Sequence, residues 1–195
     1  MRLLLALSLA LAAPLVVAAT AAPTATAPAA AAPVTYTHAA GSSLGFASSY
    51  DGESFEGRFR QFTTSIAFDP ATATGRFDVV IALGSAGTEN EERDEVLLGS
   101  EFFNAMAVPQ ARYQASAFRK LPDGRFVADG ALTLRGITQP VPLTFRWTPG
   151  AAPKLDGTAT VKRLDFNVGT GDWDDVEVMP DAVTVTTSLV LQPKR

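Results

Sequence analysis

The chain has 195 residues, with 16 basic and 20 acidic side chains, one histidine and no cysteine. The lack of cysteine excludes disulfides and thiolate chemistry, and a catalytic triad or a multi-histidine metal site would depend on His38 alone. No block of Lys or Arg occurs, which excludes the basic footprint that nucleic acid requires.

The first segment, residues 1–21, has the pattern of a secretory signal peptide. One positive charge at Arg2 precedes an apolar run over residues 3–17, and small residues follow where a signal peptidase cuts. The run is shorter than the ~20 residues that a spanning helix needs, so a retained membrane anchor is the lesser alternative. Residues 22–33 are only Ala, Pro and Thr, which predicts a disordered tether. We therefore predict export, with one ordered domain over residues 34–195.

Apolar and polar residues alternate with period two through the ordered part, which predicts eight β-strands. The connectors are short and contain turn-forming residues, so successive strands should pair antiparallel. Eight antiparallel strands can close into a barrel that is filled by its own side chains or holds one small ligand. The predicted fold is therefore all-β, an eight-stranded antiparallel barrel. The predicted strands lie around residues 44–46, 58–68, 77–83, 113–117, 126–134, 141–147, 155–161 and 183–191.

One segment, residues 88–106, breaks the strand pattern. Thr88 and Glu91 have the spacing of a capping box, and acidic residues crowd the first turn. This predicts a short helix over residues 90–98 and a second turn from Ser100. We expect the apolar residues of this segment to cap one end of the barrel. They are Val96, Leu97, Phe102, Phe103 and Met106.

Carboxylates are the remaining candidates for chemistry, and they form two clusters. We interpret both as solvated, with a calcium site and paired-carboxylate acid/base chemistry as alternatives, since EF-hand spacing is missing. Arg93 and Asp94 are interpreted as a buried polar pair, with a head-group contact of Arg93 as the alternative. The clusters are Glu89, Glu91, Glu92, Asp94 and Glu95, and Asp172, Asp174, Asp175 and Glu177.

Five stretches taken together resemble the YceI-like family of bacterial periplasmic proteins. The resemblance covers residues 41–192 and implies a lipocalin-like barrel that binds a polyisoprenoid chain, including isoprenoid quinones, in its interior. It also implies a periplasmic location and, as in some family members, a membrane b-type cytochrome as a partner. The stretches are GSSLGF (41–46), EGRF with FDP (56–59 and 68–70), NEERDEVLLGSEFFNAMAVP (90–109), GALTLRGITQPVPL (130–143) and RLDF (163–166).

Four positions depart from the family pattern. Gly41 and Val96 stand where the family often has histidine, Asn104 replaces an aspartate, and Asn167 replaces a glycine. A polar or metal role tied to those histidines is therefore not carried over, whereas the apolar lining is.

The predicted function is that of a non-enzymatic periplasmic carrier whose barrel holds the tail of an isoprenoid lipid or quinone. About three to five buried isoprene units would offset the cost of association, and no cofactor or metal is required. The alternatives are an enzyme that acts on a lipid-like substrate through acidic residues and Arg93, and an eight-stranded outer-membrane barrel. The oligomeric state, a dimer included, stays open. The predicted ligand-binding residues are Phe46, Val79, Ile81, Phe102, Phe103, Leu132, Leu134, Phe145, Val161, Phe166, Val185 and Leu189.

Overall fold

The structure, a computed structural model, describes residues 34–194. The predicted signal peptide and tether lie outside the described residues. One α-helix, α1 (Glu91–Leu98), is present in the described part of the chain. The strands are β1 (Thr35–His38), β2 (Ser43–Tyr50), β3 (Glu53–Phe59), β4 (Phe62–Asp69), β5 (Thr74–Ala82), β6 (Ala86–Gly87), β7 (Gln110–Lys120), β8 (Phe126–Leu134), β9 (Ile137–Thr148), β10 (Lys154–Lys162) and β11 (Ala182–Pro193).

The strands close into an antiparallel barrel because β1 pairs with both β11 and β4. The ring contains eight strands, namely β1, β4, β5 and β7 to β11. Three further pieces lengthen it at one end, because β2 continues beside β11, β3 pairs with β2, and β6 pairs with β3. The prediction of an all-β, eight-stranded barrel with a short helix is confirmed.

Two interrupted strands explain why the barrel ring has eight strands although strands β1 to β11 are present. β1 and β2 both run antiparallel to β11, so they act as one strand with a break at residues 39–42. β3 and β4 form a second such strand, paired with β2 and β1 respectively. The predicted strand over residues 58–68 runs across this second break, where the inward-facing positions change from odd-numbered (Phe59) to even-numbered (Phe62 and Thr64).

Strand β7 contains a register shift between Ala115 and Phe118. Alternation predicts that Ala117 faces inward with Tyr113 and Ala115, and this prediction is wrong, because Ala117 is exposed. Phe118 faces inward instead, with its ring centre 5.2 Å from that of Phe68. A bulge adds one residue to one strand and reverses the alternation beyond it.

Helix α1 begins one residue later than predicted, and its cap is not the predicted one. The Asn90 side chain accepts a hydrogen bond from the backbone N–H of Arg93 at 2.9 Å, so Asn90 is the N-cap. Thr88 instead donates its hydroxyl and its backbone N–H to Asp94 Oδ1, each at 2.7 Å. The predicted capping box of Thr88 and Glu91 is therefore wrong, since Asn90 lies nearer the helix and is an equally good cap.

Only part of the segment after β6 covers the barrel end. Leu97, Phe102 and Phe103 are buried, as predicted. Val96 is 41% exposed and Met106 is 97% exposed, so neither contributes to the cap. A helix of eight residues makes only about two turns, and most of its surface faces water.

The interior of the barrel is divided into two halves along its axis. In one half, five phenylalanine rings meet at centroid distances of 4.8 to 6.4 Å, mostly edge to face. We name this cluster the aromatic floor. The other half is lined by apolar side chains that do not meet at its centre. The aromatic floor consists of Phe68, Phe77, Phe118, Phe126 and Phe145.

No helix among the residues from 34 to 194 is long and apolar enough to cross a membrane.

The aromatic floor should be a major source of stability. Phe145 is 1% exposed and contacts the rings of Phe68, Phe77 and Phe126. We expect Phe145→Ala to lower the free energy of unfolding by about 3–5 kcal/mol, because it leaves a cavity among rings that cannot collapse. Urea denaturation measures this. Val96→Ala, on the exposed face of α1, is the control and should change it by less than about 0.5 kcal/mol. A loss below about 1 kcal/mol for Phe145→Ala would contradict this description of the floor.

Candidate ligand-binding cavity

The half of the barrel opposite the aromatic floor contains an apolar cavity of about 170 Å³. A buried water needs roughly 10–15 Å³, so the cavity is large enough for several methylene-sized groups. Its wall is formed by β2 to β5 and β7 to β11, and Leu97, Phe102 and Phe103 close it from above. We call this closed end, next to the β2–β3 turn and α1, the mouth.

Ten of the twelve residues predicted to bind ligand line this cavity. They come from five strands and from the turn after α1, and the barrel brings them onto one surface. Whether they contact a ligand stays a prediction. The ten are Phe46, Val79, Ile81, Phe102, Phe103, Leu132, Leu134, Val161, Val185 and Leu189.

Phe145 and Phe166 do not line the cavity. Phe145 is part of the aromatic floor, and Phe166 is buried in the turn that follows β10. Both side chains are directed into the protein interior, as expected. What the sequence did not predict is their position along the barrel axis. Alternation shows which face of a strand points inward but not how far along the axis a residue lies.

Two wall residues on β3, Phe55 and Phe59, were not among the predicted ligand-binding residues. Phe55 and Phe59 alternate with Gly57 on the inward face, a pattern that could have identified them. Gly57 is paired with Phe46, and a Cβ at Gly57 would overlap the Phe46 ring. Glycine at this position therefore lets the ring lie directly on the backbone of β3, where it also packs 5.3 Å from the Phe59 ring.

Arg163 is the buried cation of the site and was also missed. It is 2% exposed, lines the cavity, and follows β10 directly. All five of its N–H groups donate to backbone carbonyls, so the whole guanidinium is satisfied without a carboxylate contact. Burial lowers the pKa of Arg163, and the nearby Asp181 and Asp174 oppose this shift. The acceptors are the carbonyl oxygens of Pro180 (3.1 Å), Val168 (3.0 Å), Gly169, Trp173 (2.7 Å) and Met179 (2.8 Å).

These carbonyls belong to residues 163–181, which we name the lid segment. Because one guanidinium binds five of its carbonyls, the segment folds around a single point although it contains only short 3₁₀ turns. Gly169 has φ +63°, and a Cβ there would collide with the Arg163 guanidinium, so both the backbone and the space require glycine. The lid segment contributes Val168 and Met179 to the cavity wall.

The lid segment is joined to the turn after α1 across the mouth. The backbone N–H of Gly169 donates to the carbonyl of Glu101 at 2.8 Å. Trp173 Nε1 donates to Glu101 Oε2 at 2.9 Å, and its ring packs 5.3 Å from that of Phe102. Arg135 donates to the carbonyls of Ser100, at 2.7 Å, and of Phe102. The two covers of the cavity therefore form one hydrogen-bonded unit.

The predicted pairing of Arg93 with Asp94 is wrong. Asp94 accepts hydrogen bonds from Thr88, whereas the Arg93 guanidinium lies 4.7 Å from the centre of the Phe55 ring. Adjacent residues on a helix point about 100° apart, so the two side chains leave α1 in different directions. Arg93 thus covers a wall residue near the mouth.

The two acidic clusters lie at the surface near the mouth. Apart from Asp94, which is half-buried, all of their members are exposed. Asp175 accepts a hydrogen bond from the backbone N–H of Glu177 at 2.9 Å, an ordinary turn contact. Within residues 34–194, no three His, Asp or Glu side chains are grouped so that they could hold a metal ion.

Residues 36–191 match the model of the YceI-like domain. The UPF0312 protein of Yersinia pestis (strain Pestoides F) is 34% identical over 122 residues, which are 58% of this chain and 63% of that protein. The matched part therefore spans less than two thirds of that relative.

Two solved structures share the fold. The crystal structure of Burkholderia cenocepacia BcnA has a TM-score of 0.73 and 30% identity, and the match covers 76% of this chain and 95% of BcnA. A polyisoprenoid binding domain from Saccharophagus degradans, implicated in plant cell wall breakdown, has a TM-score of 0.62 and 18% identity. That match covers 83% of this chain and 99% of that domain.

The ordered conformation of the lid segment should depend on the five N–H donors of the Arg163 guanidinium, a number that no other side chain provides. Arg163→Lys keeps the positive charge but has three N–H donors, so at least two buried carbonyls lose their partner. We expect the free energy of unfolding to fall by on the order of 2–4 kcal/mol and hydrogen exchange to speed up over residues 164–181. The control is Arg125→Lys, at an exposed pair with Asp123, which should change stability by less than about 0.5 kcal/mol. Equal stability of Arg163→Lys and the unaltered protein would contradict this role.

Proposed function

The chain belongs to the YceI-like domain family, and from that premise we propose that it is a periplasmic binding protein that carries the tail of an isoprenoid lipid or quinone. The observation that supports the proposal most directly is the covered apolar cavity. Among the described residues that line it there is no Asp or Glu, and ten of the residues predicted from the sequence are present. Such a wall suits a hydrocarbon chain and offers no carboxylate to a polar substrate.

The volume of the cavity sets the length of tail that it can hold. At about 0.8 kcal/mol for each buried methylene-sized group, each five-carbon isoprene unit that enters the cavity contributes roughly 3–4 kcal/mol. Association costs about 4–15 kcal/mol, so the number of units that fit inside the cavity decides how tightly the tail binds. We therefore propose that a longer tail binds more tightly only by displacing wall side chains or by extending through the mouth.

The comparison with the polyisoprenoid binding domain of Saccharophagus degradans supports the proposal through the fold alone, since the identity is 18%. The cytochrome partner rests on the family resemblance and is part of the proposal. The oligomeric state, a dimer included, is left outside it.

The positions of the charged residues favour a binding protein over the two alternatives. An enzyme that uses carboxylates needs an acid next to its substrate, and the acidic clusters lie on the outside of the mouth. An outer-membrane barrel needs an apolar outer band. Here the outer face of β5 and β7 carries the Asp78–Arg112 salt bridge at 2.6 Å, and Arg112 lowers the pKa of Asp78.

A matched pair of substitutions on β5 tests the proposed function. Val79 lines the cavity, whereas Val80 is on the outer face between Thr63 and Arg112. We expect Val79→Trp to lower the affinity for geranylgeraniol at least tenfold, because the indole occupies the space of the tail. Val80→Trp should leave the affinity unchanged. Isothermal titration of the delipidated protein measures both affinities.

Two results of this titration would contradict the proposal. One is that the unaltered protein does not bind geranylgeraniol. The other is equal affinity of Val79→Trp and Val80→Trp, which would place the binding site outside the cavity. Circular dichroism and the unfolding transition of each variant show whether the barrel is intact, so that a folding defect is not read as lost binding.

A further inference from the structure

The cavity wall contains one polar atom that the protein does not satisfy. Ser48 Oγ is fully buried and has no hydrogen-bond partner, and it is the single such side-chain atom among residues 34–194. Ser48 lies on β2, two residues after Phe46 and opposite Phe55 of β3, and both phenylalanines line the cavity with it. A hydroxyl therefore stands in an otherwise apolar part of the wall.

Three other polar side chains of the wall have partners within the protein. Thr64 Oγ1 accepts from the backbone N–H of His38 at 2.8 Å, and the Tyr113 hydroxyl donates to the carbonyl of Ala128 at 3.2 Å. All five donors of Arg163 are used by the lid segment. Each of these groups is therefore held by at least one hydrogen bond of the fold. Ser48 is different because its capacity remains.

A buried hydroxyl without a partner destabilises the folded protein relative to a small apolar residue. A buried water usually makes two to four hydrogen bonds. A water beside Ser48 would find few further partners, because the wall there contains Phe46 and Phe55. The serine hydroxyl can both donate and accept. Its natural partner is thus an oxygen atom on whatever molecule enters the cavity.

The position of Ser48 along the barrel also indicates how a ligand is oriented. The next residue on the same face of β2 is Tyr50, which is 47% exposed and whose ring lies 5.8 Å from that of Trp173 in the lid segment. Ser48 therefore lies at the mouth end of the wall, and the aromatic floor lies at the other end. A molecule with a polar head and an apolar tail fits with its tail toward the floor.

From this geometry we propose that Ser48 binds an oxygen atom in the head of the ligand and so selects oxygen-bearing isoprenoids over isoprenoid hydrocarbons. The proposal rests on the proposed function, because it assigns a head-group contact to the same cavity. The chemistry shared by the candidate heads is one oxygen that hydrogen-bonds a hydroxyl, carried by an isoprenoid alcohol or by the carbonyl of an isoprenoid quinone. The tail is held by the apolar wall in either case.

The test compares isoprenoids with and without an oxygen-bearing head. Farnesol and farnesene share a fifteen-carbon skeleton with and without the hydroxyl, and a ubiquinone with two isoprene units carries the carbonyl. Affinities are measured by titration for the unaltered protein, for Ser48→Ala, and for Ser49→Ala. Ser49 is the matched control, because it is the next residue on β2 and does not line the cavity.

We expect Ser48→Ala to lower the affinity for farnesol or for the quinone by about 5- to 30-fold and to leave farnesene binding unchanged. The ligand whose affinity falls identifies the head that Ser48 recognises. Ser49→Ala should change none of the three affinities. In the absence of ligand, the Tm of Ser48→Ala should be equal to or higher than that of the unaltered protein, because an unsatisfied hydroxyl has been removed.

The inference is overturned if Ser48→Ala changes all three affinities equally or changes none of them. A lower Tm of unliganded Ser48→Ala would also overturn it, because the hydroxyl would then be supporting the fold. These failures differ from failure of the proposed function, in which the unaltered protein would bind neither farnesol, farnesene nor the quinone.

Discussion

An eight-stranded barrel encloses a space that its own side chains fill or that a small ligand occupies, and this constraint organises the whole structure. In one half the aromatic floor meets the constraint, since five rings pack at the distances of edge-to-face pairs. In the other half the wall side chains stop short of the axis and leave about 170 Å³. The floor supplies stability, and the open half supplies a site.

Keeping an apolar space away from water requires a cover that is itself ordered. The lid segment lacks the regular hydrogen bonds of a helix or a strand over most of its length, and the Arg163 guanidinium provides a substitute by binding five of its carbonyls. The hydrogen bond from Trp173 to Glu101 then joins this cover to the turn after α1. The buried cation thus supports the cavity indirectly. Its hydrogen bonds order the lid segment, and two residues of that segment, Val168 and Met179, line the cavity.

Much of this architecture could be predicted from alternation and from turn residues, because the pleat of a strand assigns inward and outward faces directly. Leu132 and Val161 were placed correctly in the wall for that reason. The bulge in β7 makes Phe118 face inward in place of Ala117. It was not predictable, because a bulge adds one residue to a strand without a recognisable change in composition. Phe145 was placed at the wrong depth, because depth depends on strand register and on which rings fill the floor.

Tertiary contacts decided the remaining differences between prediction and structure. The burial of Arg163 could not be predicted from the sequence. Its partners are backbone carbonyls, which every residue has, so no particular residue type marks them. Arg93 and Asp94 are adjacent in sequence yet point to different neighbours, Phe55 and Thr88. The family resemblance implied a lined interior but not the unsatisfied hydroxyl of Ser48, which only the packing of the wall shows.

The central claim is that the upper half of the barrel is a hollow shaped for a hydrocarbon tail. The most direct measurement is an experimental electron-density map of the protein isolated without detergent from the cells that produce it. The account predicts elongated density that begins beside Ser48 and runs toward the aromatic floor. A map in which side chains fill this half of the barrel, so that no cavity remains between Phe46, Val79 and Leu132, would contradict it.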